Sequence, residues 1–263
     1  MVKRALTIAG ADSGGGAGIE ADLKTFTVLK VYGMTAITAV TAQNTVGIKG
    51  IMEVSPEMVY LQIKAVCEDI GVDAVKTGML PNSEIVLVVS EALREFNIKN
   101  LIVDPLIMSS SGYPLIKEDA IGMLINEIFP IALVVTPNIP EAERLTGISI
   151  NSVEDMERAA KEIKEAGSKY VLIKGGHLGN GSVTDVLYDG KEFIHLKGRY
   201  FKDKHVHGTG CTLSAAITAY IAKGENVVDA VGKARKYIEG AIEKSFKIGK
   251  GDASPNHIWA LPN

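Results

Sequence analysis

Gly208-Thr209-Gly210-Cys211 sets two glycines, a hydroxyl and a thiol at the predicted start of a helix. Unpaired backbone N–H groups and the positive end of the helix dipole favour an anion at such a point, and glycine lets it approach the main chain. For the tetrapeptide alone, an ordinary helix-entry turn is the alternative. Small residues on both sides, and a cysteine in a polar turn instead of a core, favour anion binding. Gly14-Gly15-Gly16-Ala17-Gly18 also lies between a strand and a helix, but Ile19 stands where Gly-x-Gly-x-x-Gly needs its last glycine, which disfavours a dinucleotide site. That loop reads equally as a flexible turn or a ligand loop. No Gly-x-x-x-x-Gly-Lys-[Ser/Thr] stretch occurs, so any triphosphate is held without a Walker loop.

Other candidates each carry a plainer alternative. Asn138 and Glu141, with Pro137 and Pro140 stiffening the chain between them, offer oxygens suited to a hydrated Mg²⁺, although Asn138 also suits a helix cap. Lys174 ends an apolar run before two glycines, where its ammonium could meet a phosphate or simply face solvent. Asp104, between Leu-Ile-Val and Pro105, permits metal-water binding or turn capping. Gln43 and Asp22 carry the donors and acceptors that read a heterocycle, yet singly each reads first as structural. Cys67, on an apolar helical face, reads as core. His177, His195, His205, His207 and His257 show no metal spacing and no partner visible in the sequence.

The elements that must position these residues alternate. Apolar runs at 5–9, 34–40, 73–76, 101–104, 132–136 and 170–174 read as strands. Helical periods fall between them, with Ile19, Leu23 and Phe26 on one face and Val59, Ile63, Val66 and Ile70 on another. Further helices are expected near 83–96, 117–128, 152–166, 213–221 and 227–246. Repeated β-α alternation predicts a parallel sheet covered by helices on both faces. Asp189-Gly190 between 183–188 and 191–196 predicts an antiparallel edge hairpin with a two-residue turn. Polar clusters at 10–18, 77–79, 104, 136–138 and 174–176 each follow a strand, so they should share one edge of the sheet.

The chain has 263 residues, 46% hydrophobic and 22% charged, with a formal charge of −3, which suits one α/β domain over 1–263 and leaves no basic surplus for nucleic acid. Two cysteines without metal-type spacing and no apolar run of membrane-spanning length predict a cytoplasmic, unanchored protein.

Taken in order, ALTIAGADSGGGAGIEADLKTF (5–26), TAQNT (41–45), KTGML (76–80), VDP (103–105), TPNIPEA (136–142), KGGH (174–177) and HGTGCTLSAA (207–216) resemble the hydroxymethylpyrimidine/phosphomethylpyrimidine kinases of thiamin synthesis, from residue 5 to about residue 245. The resemblance implies a ribokinase-like three-layer sandwich: a mostly parallel central sheet, helices on both faces and an antiparallel edge hairpin. It also implies two uses of MgATP, first on 4-amino-5-hydroxymethyl-2-methylpyrimidine and then on its monophosphate. Carried over, Gly208, Thr209, Gly210 and Cys211 form the anion hole and Cys211 is the base. Lys174, Asn138 and Thr209 meet ATP, and Glu141 and Asn138 surround Mg²⁺, with Asp104 as a further metal candidate. Gly10, Asp22, Gln43 and Met79 form the pyrimidine pocket. Most ribokinase-like enzymes use Asp as base, so Cys211 marks the subset with a thiol. The resemblance suggests a homodimer. The alternatives are a pyridoxal or pyridoxine kinase of the same framework and, in another class, a non-catalytic pyrimidine-binding sensor.

Overall fold

The structure is a computed structural model and describes residues 1–109, 112–176, 183–202 and 204–261. Its strands are β1 (Arg4–Asp12), β2 (Tyr32–Asn44), β3 (Gly47–Glu53), β4 (Ala74–Thr77), β5 (Leu101–Val103), β6 (Val134–Val135), β7 (Tyr170–Ile173), β8 (Val183–Tyr188) and β9 (Phe193–Gly198). They form one sheet in the order β3-β2-β1-β4-β5-β6-β7-β8-β9. β2 through β7 in that order are parallel, while β3 at one edge and β8 and β9 at the other are antiparallel.

The helices are α1 (Gly18–Val28), α2 (Pro56–Asp69), α3 (Ser83–Glu95), α4 (Glu118–Met123), α5 (Ile139–Thr146), α6 (Val153–Glu165), α7 (Thr209–Ala222) and α8 (Val227–Glu243). One core joins the sheet to α2 through α6, and a second joins the opposite face to α1, α7 and α8. This gives the expected three layers. β1 is buried almost throughout because helices cover both of its faces, which is why it reads as an apolar run without alternation. α7 is buried on nearly every side, between the sheet, α1 and α8. Its Ala215, Ala216 and Ala219 allow that close approach. Among the described residues no helix is long and apolar enough to cross a membrane.

Three local features differ from the sequence-based expectation. The turn between β8 and β9 has four residues, because the Asp189 carboxylate accepts from the N–H groups of Lys191 (2.7 Å) and Glu192 (2.8 Å) while Gly190 takes φ +99°. β2 runs on to Asn44 and pairs with β3, an edge hidden in the sequence by two glycines and the absence of apolar alternation in GIKGIME. The helix expected over 117–128 is α-helical only to Met123 and then winds as a π-turn to Ile128, ahead of Pro130.

The chain leaves β1 for β2 on one side and returns to β4 on the other, so the sheet's topological switch lies between β1 and β4. The carboxyl ends of β1, β4, β5, β6 and β7 face one crevice, where an open α/β sheet binds its ligand.

Candidate active site

A cavity of about 1030 Å³ fills that crevice and reaches Gly10, Gln43, Lys76, Met79, Asn138, Glu141, Lys174 and the loop Gly208–Cys211. Segments nearly 200 residues apart in sequence therefore share one wall.

The loop enters α7 through Gly208 at φ +86°, and a Cβ there would stand 1.9 Å from the Gly16 carbonyl oxygen, so only glycine fits. α7 has no side-chain N-cap and no acidic residue in its first turn. The amides of Thr209, Gly210 and Cys211, as the first residues of the helix, have no carbonyl partner within it, and all three residues line the cavity. The loop at 14–18 is built the opposite way. Asp12 folds its carboxylate into it and accepts from the N–H groups of Gly14 (2.8 Å), Gly16 (3.1 Å) and Ala17 (2.9 Å). That loop is thus a structural turn whose anion is part of the chain.

Beside the α7 amides stands Lys174, whose Nζ is 2.9 Å from Asp104 Oδ1 and 3.9 Å from Glu141 Oε2. A Cβ on Gly210 would lie 3.3 Å from that Nζ, which fixes the ammonium against the loop. Burial disfavours the Lys174 charge, but Asp104 and Glu141 outweigh it and hold the pKa above the usual lysine range. Asn138 caps α5 and Glu141 returns the bond, in a reciprocal capping box of 2.9 and 2.8 Å. Glu141 Oε1 is buried and makes no hydrogen bond. Burial pushes the Glu141 carboxyl up to about 7, against the pull of Lys174.

Cys211 lines the cavity and packs against Ala17 and Ala21. Burial pushes its thiol up to about 12 even though Lys76 pulls it down. At neutral pH the resting thiol is protonated, so the lowering expected from the helix N-terminus is overcome by desolvation.

A model of the protein family described as phosphomethylpyrimidine kinase matches residues 12–256. The chain belongs to the phosphomethylpyrimidine kinase family. It is 44% identical over 258 residues to the hydroxymethylpyrimidine/phosphomethylpyrimidine kinase of Bacillus subtilis strain 168, covering 98% of this chain and 95% of that one. The crystal structure of phosphomethylpyrimidine kinase from Clostridium difficile 630 superposes with a TM-score of 0.82 at 47% identity, covering 91% and 99% of the two chains. Pyridoxal kinase from Staphylococcus aureus, solved in complex with ADP, superposes with a TM-score of 0.92 at 36% identity over 99% and 95%.

Against this family frame, two of the expected residues stand elsewhere. Asp22 does not line the cavity: it is fully buried, with its carboxylate 2.9 Å from Lys76 Nζ and accepting from Thr7 Oγ1 at 2.7 Å. Removing one partner of such a pair costs about 3–5 kcal/mol, so Asp22 acts first on the fold beneath the pocket. Asp104 also lies behind the wall, its oxygens taken by Lys174, Ser214 (3.1 Å) and Thr136 (3.3 Å), so it anchors Lys174 instead of presenting itself to a metal. Gly10, Gln43, Met79, Asn138, Glu141, Lys174 and 208–211 do reach the cavity.

Sequence reasoning missed Lys76, Asp12 and His207 as parts of the site. Lys76 carried a signal, since a lysine inside the wholly buried strand Ala-Val-Lys-Thr demands a buried partner. His207 carried none, because its ring meets Gln43 across 164 residues of sequence. His177 lies outside the described residues.

Proposed function

We infer that this chain transfers the γ-phosphoryl group of ATP to the hydroxymethyl oxygen of 4-amino-5-hydroxymethyl-2-methylpyrimidine, and then a second to the resulting monophosphate. It thereby serves thiamin synthesis as its family does. The observation that carries this reading is that one cavity joins the acid-free amides of α7 and Lys174 to a second end lined by Gly10, Gln43 and Met79. Phosphoryl transfer needs positioning and charge stabilisation more than covalent chemistry, and this wall supplies both. The α7 amides and Lys174 meet the transferring phosphate, while the Gln43 amide meets the ring.

The donor set suits Mg²⁺. Glu141 Oε1 is a buried oxygen without a partner, and among the described residues no three acidic, histidine or cysteine side chains gather into a cage. A magnesium ion would therefore be held by Glu141 and Asn138 together with phosphate and water oxygens, its usual manner, and would neutralise phosphate charge. Because the resting thiol of Cys211 is protonated, Cys211 serves as base only after losing its own proton. Its help is then confined to the alcohol acceptor, since a monophosphate with a second pKa of about 6 is already a dianion at pH 8.

A homodimer in a reducing compartment is the expected state. Both cysteines are free, and Val46 and Met52 expose apolar surface on the β2–β3 edge that a second copy would cover. Sedimentation at twice the chain's mass supports this, and sedimentation at the chain's own mass contradicts it.

The likeness to pyridoxal kinases makes pyridoxal the competing acceptor. An ATP-dependent assay over hydroxymethyl heterocycles, with mono- and diphosphate products resolved, tests the reading. Diphosphate formed from the aminopyrimidine, with higher kcat/KM than for pyridoxal, is expected. Preferred turnover of pyridoxal, or ligand binding without ADP release, overturns it.

A further inference from the structure

Ser214, in the second turn of α7, is fully buried, and three acceptors surround its hydroxyl. Its Oγ stands 3.1 Å from Asp104 Oδ2, 3.1 Å from the Gly210 carbonyl oxygen and 3.0 Å from that of Cys211. The two carbonyls already accept the N–H groups of Ser214 and Ala215 within the helix. Burial disfavours the Asp104 charge, but Lys174 and Lys76 outweigh it and hold that carboxyl below its usual range. An ionised carboxylate only accepts, so the contact with Asp104 takes the single hydroxyl hydrogen of Ser214. The other carboxylate oxygen, Oδ1, takes Lys174 Nζ at 2.9 Å. Thr136 Oγ1 lies 3.3 Å from Oδ1 and equally 3.3 Å from the Val103 carbonyl, so its one hydrogen is not committed to Asp104. A Cβ on Gly210 would lie 3.3 Å from Lys174 Nζ and 3.9 Å from Asp104 Oδ2, so ammonium, carboxylate and the first turn of α7 meet at one point.

Resting on the reading of Lys174 and the α7 amides as the phosphate cradle, we propose that Ser214 is a positioning residue for phosphoryl transfer, which through Asp104 holds the Lys174 ammonium in register with those amides. The two halves of the cradle sit on different elements, Lys174 just past the end of β7 and the amides at the start of α7. One planar carboxylate joins them, with an oxygen for each. Without the Ser214 hydroxyl, Asp104 Oδ2 is buried and unpaired, which favours a turn of the carboxylate that carries Lys174 with it. Donors stabilise a transferring phosphoryl group only where its charge develops, so a displaced ammonium costs rate more than it costs ATP binding. Both transfers use the same cradle. Both should therefore suffer alike, in contrast to the single step that a base at Cys211 serves.

The test measures single-turnover rates for the alcohol and the monophosphate, ATP affinity by isothermal titration, and melting temperature. The proteins are the wild type, Ser214→Ala, Thr218→Val, Lys174→Met, Asp104→Ala and the double variant Ser214→Ala/Asp104→Ala. Thr218 is the control for helix packing: it is buried one turn further along α7, donates to the Ser214 carbonyl at 2.8 Å and does not line the cavity. Ser214→Ala is expected to slow both steps about tenfold or more, within the roughly 10²-fold that an ångström's displacement can cost, with ATP affinity near that of the wild type. Thr218→Val should lower the melting temperature and keep both rates. In the Asp104→Ala background Ser214→Ala should cost little more, since the carboxylate through which it acts is gone. That double variant leaves no orphaned carboxylate, which guards against loss of the fold. Wild-type rates in Ser214→Ala, equal losses in Ser214→Ala and Thr218→Val, or an undiminished loss in the Asp104→Ala background overturns the role of Ser214, and the cradle still stands if Lys174→Met slows both steps. Wild-type rates in Lys174→Met overturn the cradle and the role of Ser214 with it.

Discussion

In the loop that follows β1, the amides of Gly14, Gly16 and Ala17 point at the carboxylate of Asp12, whereas in the loop that enters α7 no acidic side chain occupies the first turn. The two loops touch, Gly208 lying against the Gly16 carbonyl, and both are glycine-rich entries to a helix. Composition does not separate them. The difference is that one loop fills its amides with its own anion and the other has no acidic side chain to do so, which is the contrast on which the proposed phosphate site rests. A glycine-rich helix entry is an anion site only when no side chain of the chain already fills it.

Cys211→Ala sharpens this comparison most, because it removes the one side chain in the open loop capable of proton transfer while leaving the amides. General base catalysis contributes about 10²–10⁴-fold, so phosphorylation of the alcohol should fall by up to that factor and phosphorylation of the monophosphate far less. The sign of the pH dependence follows from the thiol, pushed up to about 12: thiolate is the active form, its fraction grows as pH rises, and the wild-type alcohol step should accelerate from pH 7 to 10. The monophosphate step and the variant should stay flat. Equal losses in both steps, in single-turnover measurements, would show that the thiol only shapes the loop.

Glu141→Gln probes the metal side of the same loop. Its carboxyl sits at about 7 in the folded protein, so a proton competes with Mg²⁺ below that pH and leaves above it. The Mg²⁺ concentration giving half-maximal rate should fall as pH rises from 6 to 8 in the wild type. In the variant it should be about tenfold higher and insensitive to pH, given the loss of a charged oxygen ligand. Because the folded state raises this carboxyl's pKa, Glu141 costs stability as pH rises above the ordinary carboxylate range. The variant, which keeps the capping geometry, should be at least as stable as the wild type at pH 8. A variant destabilised there would show that Glu141 serves the fold.

Asp12→Asn acts on the filled loop and should give the smallest catalytic effect. It weakens the acceptor of two buried amides, Gly16 and Ala17, and of the exposed Gly14, which costs about 1–3 kcal/mol of stability in urea unfolding. A drop in turnover exceeding that of Cys211→Ala, with stability intact, would make the first loop a ligand loop after all.

Much of this arrangement was legible in the sequence. Apolar runs without alternation at 5–9 and 170–173 announce strands covered on both faces, and polar residues at their carboxyl ends announce one shared edge. The placing of Lys174, Asn138 and Glu141 follows from strand ends alone. What stayed hidden depends on contacts across the sheet. Asp22 and Asp104 look like ligand carboxylates in sequence, yet each is consumed by a lysine 54 or 70 residues away. Asp12 fills a loop that its glycines alone leave open to either reading. The β2–β3 edge escaped because GIKGIME lacks the alternation by which a half-buried strand is recognised.

The contrast between the loops is tested most directly by giving the open one the anion that the other already has. Thr209→Asp places a carboxylate in the first turn of α7, where it meets the helix dipole favourably by about 0.3–1 kcal/mol, so the melting temperature should hold or rise. Isothermal titration with ATP in Mg²⁺ buffer, on protein shown to be folded, is the measurement. We expect a loss of affinity and turnover of about 10²–10³-fold, the effect of about 3–4 kcal/mol of repulsion between a carboxylate and a phosphate a few ångströms apart near a protein surface. Wild-type ATP affinity and turnover in the folded variant would place the phosphates elsewhere and contradict the contrast.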